Sequence, residues 1–264
     1  MRVFAGIDAG STYLKAALVD DKRQLLGVKT VPTGIDARET AKEVLDALCL
    51  QAGIEPMGLA AITATGYSRR QIDTAEDNVT EIKAHAAGAR WALGADSEVR
   101  TLIDVGGQDS KVIVFDDNGA VKNFVMNDKC AAGTGRFLEA LARVLDVSVK
   151  EIGPMALLSK LPCEINSMCV VFAESEVISL LARRHDPVDI VAGIHVSMAK
   201  RIAVMARKAG LSGEVLLTGG GGLNPGLVAA FEDELLCDVH IAEHPQLNGA
   251  IGAALLAGRL AVVA

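Results

Sequence analysis

The sequence predicts an α/β protein made of two lobes, each a copy of one architectural plan. Three observations carry this. A strand, an acidic glycine turn and a returning strand with a lysine just inside it occur twice, at Asp8-Ala9-Gly10-Ser11-Thr12 with Lys15 and at Asp104-Val105-Gly106-Gly107-Gln108-Asp109 with Lys111. A third strand and helix-period stretches follow each hairpin. At 264 residues the chain has room for two modest domains, and no low-complexity tract or linker interrupts it. The expected division is residues 1–98 plus 246–264 for lobe I and 99–245 for lobe II.

The first round opens with a short buried strand over residues 2–7. Residues 13–19 form its antiparallel return, which closes at Asp20-Asp21-Lys22-Arg23, and residues 25–31 form the third strand. In such a turn the backbone N–H groups and short hydroxyls of Gly10, Ser11 and Thr12 face outward, which equips it to hold a phosphate. Lys15 can reach the same anion as a point charge. A hairpin turn needs no ligand, however, and taken alone it fits a plain structural role as well. Apolar residues at Ala41, Val44, Leu45 and Leu48 recur at helical spacing over residues 37–52. Residues 59–65 are a strand ending at Gly66-Tyr67, and residues 81–93 are helical. His85 in that helix has no partner at i+3 or i+4, so it reads as a helix-face histidine and not as a metal ligand; Trp91 reads as core.

The second round repeats the order: a strand over 99–105, a return over 111–115, a turn at Asp116-Asp117-Asn118-Gly119 and a third strand over 120–126. Two such hairpins facing each other across a cleft could grip one polyphosphate from both sides, each aspartate placed to hold hydrated Mg²⁺. Asn127-Asp128-Lys129-Cys130-Ala131-Ala132-Gly133-Thr134-Gly135-Arg136-Phe137 then carries a cysteine towards an apolar helix beginning near Phe137. The stretch from Ser167 and Met168 through Cys169 to Glu176 repeats that arrangement. Free N–H groups and a partial positive charge at a helix start favour a thiolate or an anionic cluster. One chain offers two such cysteines where an iron-sulfur cubane usually takes four thiolates, and a two-fold dimer would supply the rest. Without a C-x-x-C pair, the same cysteines also read as small buried residues.

Residues 187–209 have the apolar spacing of a long amphipathic helix (Val191, Ile194, Met198, Ile202, Met205). After a strand over 214–218 come Gly219, Gly220, Gly221 and Gly222. They mark either a close backbone approach to a flat ligand or another chain, or a floppy loop. A helix over 227–236, a last strand over 238–242 and a closing helix over 246–260 complete the chain, the last opening on small residues suited to tight helix packing.

Composition narrows the function. With 26 basic against 33 acidic residues, a net charge of -7 and 3% aromatic residues, the chain lacks the phosphate-neutralising surface and stacking platforms of a nucleic-acid binder. Its apolar runs are too short to cross a membrane. Cys49, Cys130, Cys163, Cys169 and Cys237 form an odd, scattered set with no leader-like segment before the first strand, so reduced thiols and a cytoplasmic location are expected.

The ordered set Gly6-Ile7-Asp8-Ala9-Gly10-Ser11-Thr12, Asp104 to Lys111, Thr218-Gly219-Gly220 and Asn248-Gly249-Ala250 resembles the phosphate 1, phosphate 2, adenosine and second connecting motifs of the acetate and sugar kinase, heat-shock chaperone and actin superfamily. With the two cysteine motifs added, the chain resembles one branch of it, the ATPase activators of 2-hydroxyacyl-CoA dehydratases and their benzoyl-CoA reductase relatives. The resemblance implies ribonuclease H-like lobes of β-β-β-α-β-α-β-α type with a nucleotide cleft between them, as in actin. It implies a homodimer with one [4Fe-4S] cluster on the two-fold axis, ligated by Cys130 and Cys169 of each subunit, and one ATP per subunit. It also implies a ferredoxin or flavodoxin as electron donor, cluster helices swung by ATP binding and hydrolysis, and an iron-sulfur dehydratase or reductase as acceptor.

On the same resemblance, Gly10, Ser11, Thr12 and Lys15 hold terminal phosphates from one lobe and Gly106, Gly107 and Gln108 from the other. Asp8 and Asp104 serve Mg²⁺ through water, Gln108 or Glu174 orients the attacking water, and Gly219 and Gly220 lie under the adenosine. Gly221, Gly222 and Cys163 depart from the pattern. Two other classes stay open: a small-molecule kinase, which would need a substrate insertion and a base aspartate, and an actin-like assembly protein, which would not need the cysteines. A bound subunit of an aryl-CoA reductase would carry the same motifs as a free activator.

Overall fold

The computed structural model describes residues 1–94, 97–167 and 169–260; Met168 of the second cysteine stretch lies outside them. The chain divides into two compact units, Met1–Ser97 with Gln246–Ala264, and Glu98–Pro245. The first unit contains β1 (Val3–Ala9), β2 (Tyr13–Asp20), β3 (Leu25–Pro32), α1 (Ala37–Ala52), β4 (Ala61–Thr65), β5 (Asp77–Asn78) and α2 (Glu81–Leu93). The second contains β6 (Val99–Val105), β7 (Ser110–Phe115), β8 (Val121–Asn127), α3 (Gly135–Val144), α4 (Ile152–Ala156), α5 (Val170–Ala182), α6 (Pro187–Ala209), β9 (Glu214–Gly219), α7 (Pro225–Leu235) and β10 (Val239–Ile241). The final helix, α8 (Asn248–Leu260), returns to the first unit.

The two sheets have one topology, β3-β2-β1-β4-β5 and β8-β7-β6-β9-β10. Three antiparallel strands lead each sheet, and two parallel ones complete it. The first strand of each round is central, and all seven residues of β1 are buried, which is why it reads as an unbroken apolar run and not as an alternation. The outer strands β3 and β8 are mostly half-buried or exposed, and Lys29 and Lys122 on them discourage edge-to-edge pairing.

Caps fix the helices where the sequence places them. Asp36 accepts from Arg38 N and Glu39 N, and Gly53, at φ +67°, closes α1 by donating to Cys49 O and Leu50 O. Asp186 and Pro187 start α6, and Gly210 at φ +94° ends it. Small residues bring α2 and α8 together: a Cβ on Gly252 would overlap Ala84 O and one on Gly88 would overlap Asn248 O. His85, on α2, is buried there, with Asn248 Nδ2 donating to its carbonyl at 3.0 Å. Trp91 is half-buried, its indole N–H donating to Arg23 O at 2.9 Å.

Some boundaries differ from the sequence reading for local reasons. The expected 59–65 strand starts at Ala61 because Pro56–Gly58 winds into a 3₁₀ turn, and the closing helix starts at Asn248 because Pro245–Leu247 does the same. Neither α4 nor β5 was expected: five residues containing Gly153 and Pro154 show no helical period, and two residues show no alternation. No described helix is long and apolar enough to cross a membrane.

The second core contains a buried histidine. His195 on α6 bonds Val191 O at 2.8 Å and Asn224 at 3.1 Å, while Asn224 caps α7 through Leu227 N. Burial pushes the imidazole below its ordinary range, although its hydrogen bonds to Val191 and Asn224 work the other way. A depressed folded-state value means the unfolded chain takes up the proton first, so the contribution is complete above about pH 6.5 and shrinks as pH falls below it. Replacing His195 by Gln is expected to flatten the pH dependence of the urea midpoint below that value; an unchanged slope would assign it to other groups.

Candidate functional site

Each sheet carries one polar hairpin, and the two are built alike to the residue. Asp8 on β1 lies opposite Lys15 on β2, and Asp104 on β6 lies opposite Lys111 on β7. On the other side Asp8 faces Thr65 of β4 and Asp104 faces Thr218 of β9, both across parallel pairs. Gly66 and Gly219 follow those threonines with φ of +92° and +78°. A Cβ on Gly66 would come within 2.6 Å of the Ala9 carbonyl, and one on Gly219 would overlap Val105 O, so glycine is required twice for one reason. The sequence reading found the aspartate, turn and lysine of each copy and quoted Thr218-Gly219 as part of an adenosine motif, but it missed that Thr65-Gly66 and Thr218-Gly219 complete the two copies alike.

The lysines are committed to the aspartates. Lys15 Nζ lies 3.1 Å from Asp8 Oδ2; Lys111 Nζ lies 3.5 Å from Asp104 Oδ2 and 2.6 Å from Asp109 Oδ2. A carboxylate at this depth needs a countercharge. The second copy is the more closed, because Thr218 Oγ1 also donates to Asp104 Oδ1 at 2.7 Å. In the first copy Asp8 Oδ1 accepts from no described residue, and the hydroxyls of Thr12 and Thr65 are buried without a hydrogen-bond partner. Buried polar atoms are normally satisfied, so this end of the first sheet has the unfilled acceptors and donors of a site for a polar ligand.

Anchors hold the turns. Thr33 Oγ1 donates to Gly10 O at 2.6 Å and Ser68 N to Ala9 O at 2.9 Å. In the second copy Gly106 N donates to Asp109 O at 2.9 Å, while Gly135 N and Arg136 N, at the start of α3, donate to Gly106 O and Gly107 O at 2.8 and 2.9 Å. Ser11 and Gln108 are exposed at the turn tips.

The cysteine loops belong to the second unit. Asn127 clasps the Cys130 loop: its Nδ2 donates to Cys130 O at 2.8 Å and Ala132 O at 3.2 Å, and its Oδ1 accepts from Cys130 N at 3.2 Å. Arg201 Nη2 lies 3.3 Å from Cys130 Sγ. The expectation of a cysteine at a helix start holds for Cys169, the exposed N-cap of α5. It fails for Cys130, which sits five residues before α3, where the N-cap is Thr134 and the first N–H groups are taken by the Gly106–Gly107 carbonyls. Glu176 orders the approach to Cys169 by accepting from Asn166 N at 3.0 Å and Ser167 N at 2.8 Å.

The sequence profile of the BadF/BadG/BcrA/BcrD ATPase family matches residues 5–257. The chain belongs to that family. It is an ATPase with the two-lobed α/β fold of the actin-like proteins. The activator of lactoyl-CoA dehydratase from Anaerotignum propionicum is 40% identical over 252 residues, 96% of each chain. Among solved structures, component A of (R)-2-hydroxyglutaryl-CoA dehydratase from Acidaminococcus fermentans superposes with a TM-score of 0.93 at 38% identity, covering 99% of this chain and 100% of that one. The activator of 2-hydroxyisocaproyl-CoA dehydratase from Clostridium difficile, solved with bound ADPNP, gives 0.91 at 38% identity over 99% and 96%.

In this BadF/BadG/BcrA/BcrD-family ATPase the expected site residues fall on the two hairpins and, for Cys130, Cys169 and Glu174, on the cysteine loops and α5. Asp8, Gly10, Ser11, Thr12 and Lys15 gather on the first hairpin, and Asp104, Gly106, Gly107 and Gln108 on the second. Gly219 joins the second group through the end of β9, and Gly220, exposed, opens the short 3₁₀ turn Gly220–Leu223. The remaining two glycines are structural: a Cβ on Gly221 would lie 2.6 Å from Val105 Cβ, and one on Gly222 2.9 Å from Pro245 Cβ. Glu174 is half-buried on α5, its side chain has no hydrogen bond or ion pair with another described residue, and it shares a helix with Cys169, not with the hairpin. Among the other cysteines, burial raises the thiols of Cys49, Cys163 and Cys237, helped by neighbouring acidic residues, which disfavours the thiolate a metal needs.

Proposed function

We propose that this ATPase is the activator of a 2-hydroxyacyl-CoA dehydratase, delivering low-potential electrons to an iron-sulfur partner component at the expense of ATP. The arrangement that carries the reading is the second unit's: one polar hairpin is hydrogen-bonded to the first two residues of α3, the helix into which the Cys130 loop runs, and Cys169 caps a helix of the same unit. Relatives named as activators are similar over nearly the whole chain.

The residues present fit the groups this function requires. For the nucleotide, Gly10, Ser11, Thr12 and Lys15 of one hairpin and Gly106, Gly107 and Gln108 of the other bind the phosphates of ATP, and Gly219 and Gly220 meet the adenosine. The unpaired hydroxyls of Thr12 and Thr65 and the Asp8 carboxylate, which Lys15 meets through Oδ2, suit hydrated Mg²⁺. Asp104, with Lys111 and Thr218 already on its two oxygens, is better suited to bind water in the metal's outer sphere. Gln108, exposed, orients the attacking water.

For the redox group, Cys169 offers a sulfur at a helix N-cap, and Cys130 offers one that already receives an N–H from a guanidinium. Two thiols are half of what a [4Fe-4S] cluster usually takes, and among the described residues no three His, Cys, Asp or Glu side chains gather as a metal site. A homodimer completes the set, one cluster per dimer. Such a cluster, when bound, supplies one-electron chemistry at low potential, with a ferredoxin or flavodoxin as its donor. The chain's own part is mechanical: as the Gly106–Gln108 turn closes on phosphate and reopens after hydrolysis, the bonds from Gly135 N and Arg136 N make α3 and the Cys130 loop follow.

Anaerobic purification with iron, sulfide and ATPase assays tests this. About four irons and four sulfides per two chains are expected, with Cys130→Ser and Cys169→Ser dropping to background iron while binding ADPNP as the parent does. Iron retained in both variants would reject the ligand assignment, and a metal-free parent that phosphorylates a metabolite would favour a kinase.

A further inference from the structure

Arg201 stands out among the charged side chains of the second unit. It projects from α6, whose neighbouring residues Met198, Ala199, Ile202 and Ala203 are 0–1% exposed, so its Cα is fixed by the core. It is half-buried and has no carboxylate within ion-pairing distance among the described residues. Its Nη2 instead lies 3.3 Å from Cys130 Sγ. The loop is shaped to let it through: Gly133 has φ +87°, and a Cβ there would sit 3.2 Å from Arg201 Cδ. Asn127 grips the Cys130 backbone. A half-buried guanidinium without a carboxylate is costly unless something negative accompanies it, and the atom it meets is a cysteine sulfur.

We propose that Arg201 is a positioning residue that holds the Cys130 sulfur by a charge-assisted N–H···S bond and sets the potential of the group that sulfur binds. The inference rests on the ligand reading above. Reduction by one electron adds a negative charge beside the guanidinium, and both the positive charge and the N–H donor favour the more negative state. Arg201 therefore raises the reduction potential and makes loading of the electron easier. A purely structural arginine would leave the potential where it was.

The test is an anaerobic dithionite titration of the full-length dimer, followed by visible absorbance and electron paramagnetic resonance, for the parent, Arg201→Gln and Arg201→Lys. Both variants are expected to titrate at more negative potentials than the parent, Arg201→Lys by less because it keeps the charge and loses the fork. Whichever variant assembles with full iron decides the matter: a midpoint equal to the parent's overturns the inference while leaving the ligand assignment intact. A parent without iron overturns both, and the iron assay separates the two failures.

Discussion

Lys111→Met is expected to destabilise the second unit by about 3–5 kcal/mol, the usual cost of removing one partner from a buried ion pair. Asp104 and Lys111 are 3% and 2% exposed, so the carboxylate left behind has Thr218's hydroxyl but loses the Lys111 charge. Asp109 adds little to this figure, because its side chain is 26% exposed and water screens it. The equivalent change in the first unit, Lys15→Met, is expected to cost less: the Lys15 side chain is 21% exposed, and Asp8 leaves one oxygen open. Urea unfolding of the full chain checks both, and adding Asp104→Asn to Lys111→Met should recover part of the loss by removing the stranded charge. Equal and small losses at both sites would mean that the duplicated pairs are not buried to different degrees in solution.

That inequality between copies was beyond the reach of the sequence. The plan itself was legible because it is local: aspartate and lysine stand seven residues apart in both rounds, and an antiparallel hairpin sets two such residues face to face. The helices α1, α2 and α6 were legible for the same reason, since caps and apolar periods lie within each segment. What the sequence hid depends on parallel pairing. Thr65 lies 57 residues after Asp8 and Thr218 lies 114 after Asp104, and no local pattern gives the register that makes them equivalent. The four glycines of 219–222 looked like one feature and are several, because their neighbours, Val105 and Pro245, come from distant segments. Arg201 was invisible as a partner of Cys130 across 71 positions. Cys130 was misplaced because a glycine-rich turn ahead of an apolar helix resembles a helix start, and only the fold shows the α3 N–H groups already bonded to the hairpin.

That last contact gives the second large expectation. On the activator function proposed above, Gly135→Val is expected to uncouple ATP hydrolysis from electron delivery. A Cβ at position 135 would lie 3.2 Å from both Gly106 O and Gly107 Cα, so a branched side chain must push α3 off the turn and break the bonds from Gly135 N and Arg136 N. Each is a backbone hydrogen bond contributing about 1 kcal/mol. Together they bound the free energy the joint can transmit at about 2 kcal/mol, which corresponds to about a thirty-fold effect on a coupled equilibrium. The new side chain crowds the Gly106 carbonyl and the Gly107 backbone and not Gln108, the residue proposed to orient the attacking water, so ATPase turnover should stay within a few-fold of the parent while electrons delivered per ATP fall by an order of magnitude or more. Iron content should be unchanged, since Asn127 and Arg201 still hold Cys130. Parallel loss of hydrolysis and delivery would place Gly135 in the nucleotide site itself; unchanged delivery per ATP would mean that the nucleotide moves the Cys130 loop by another route.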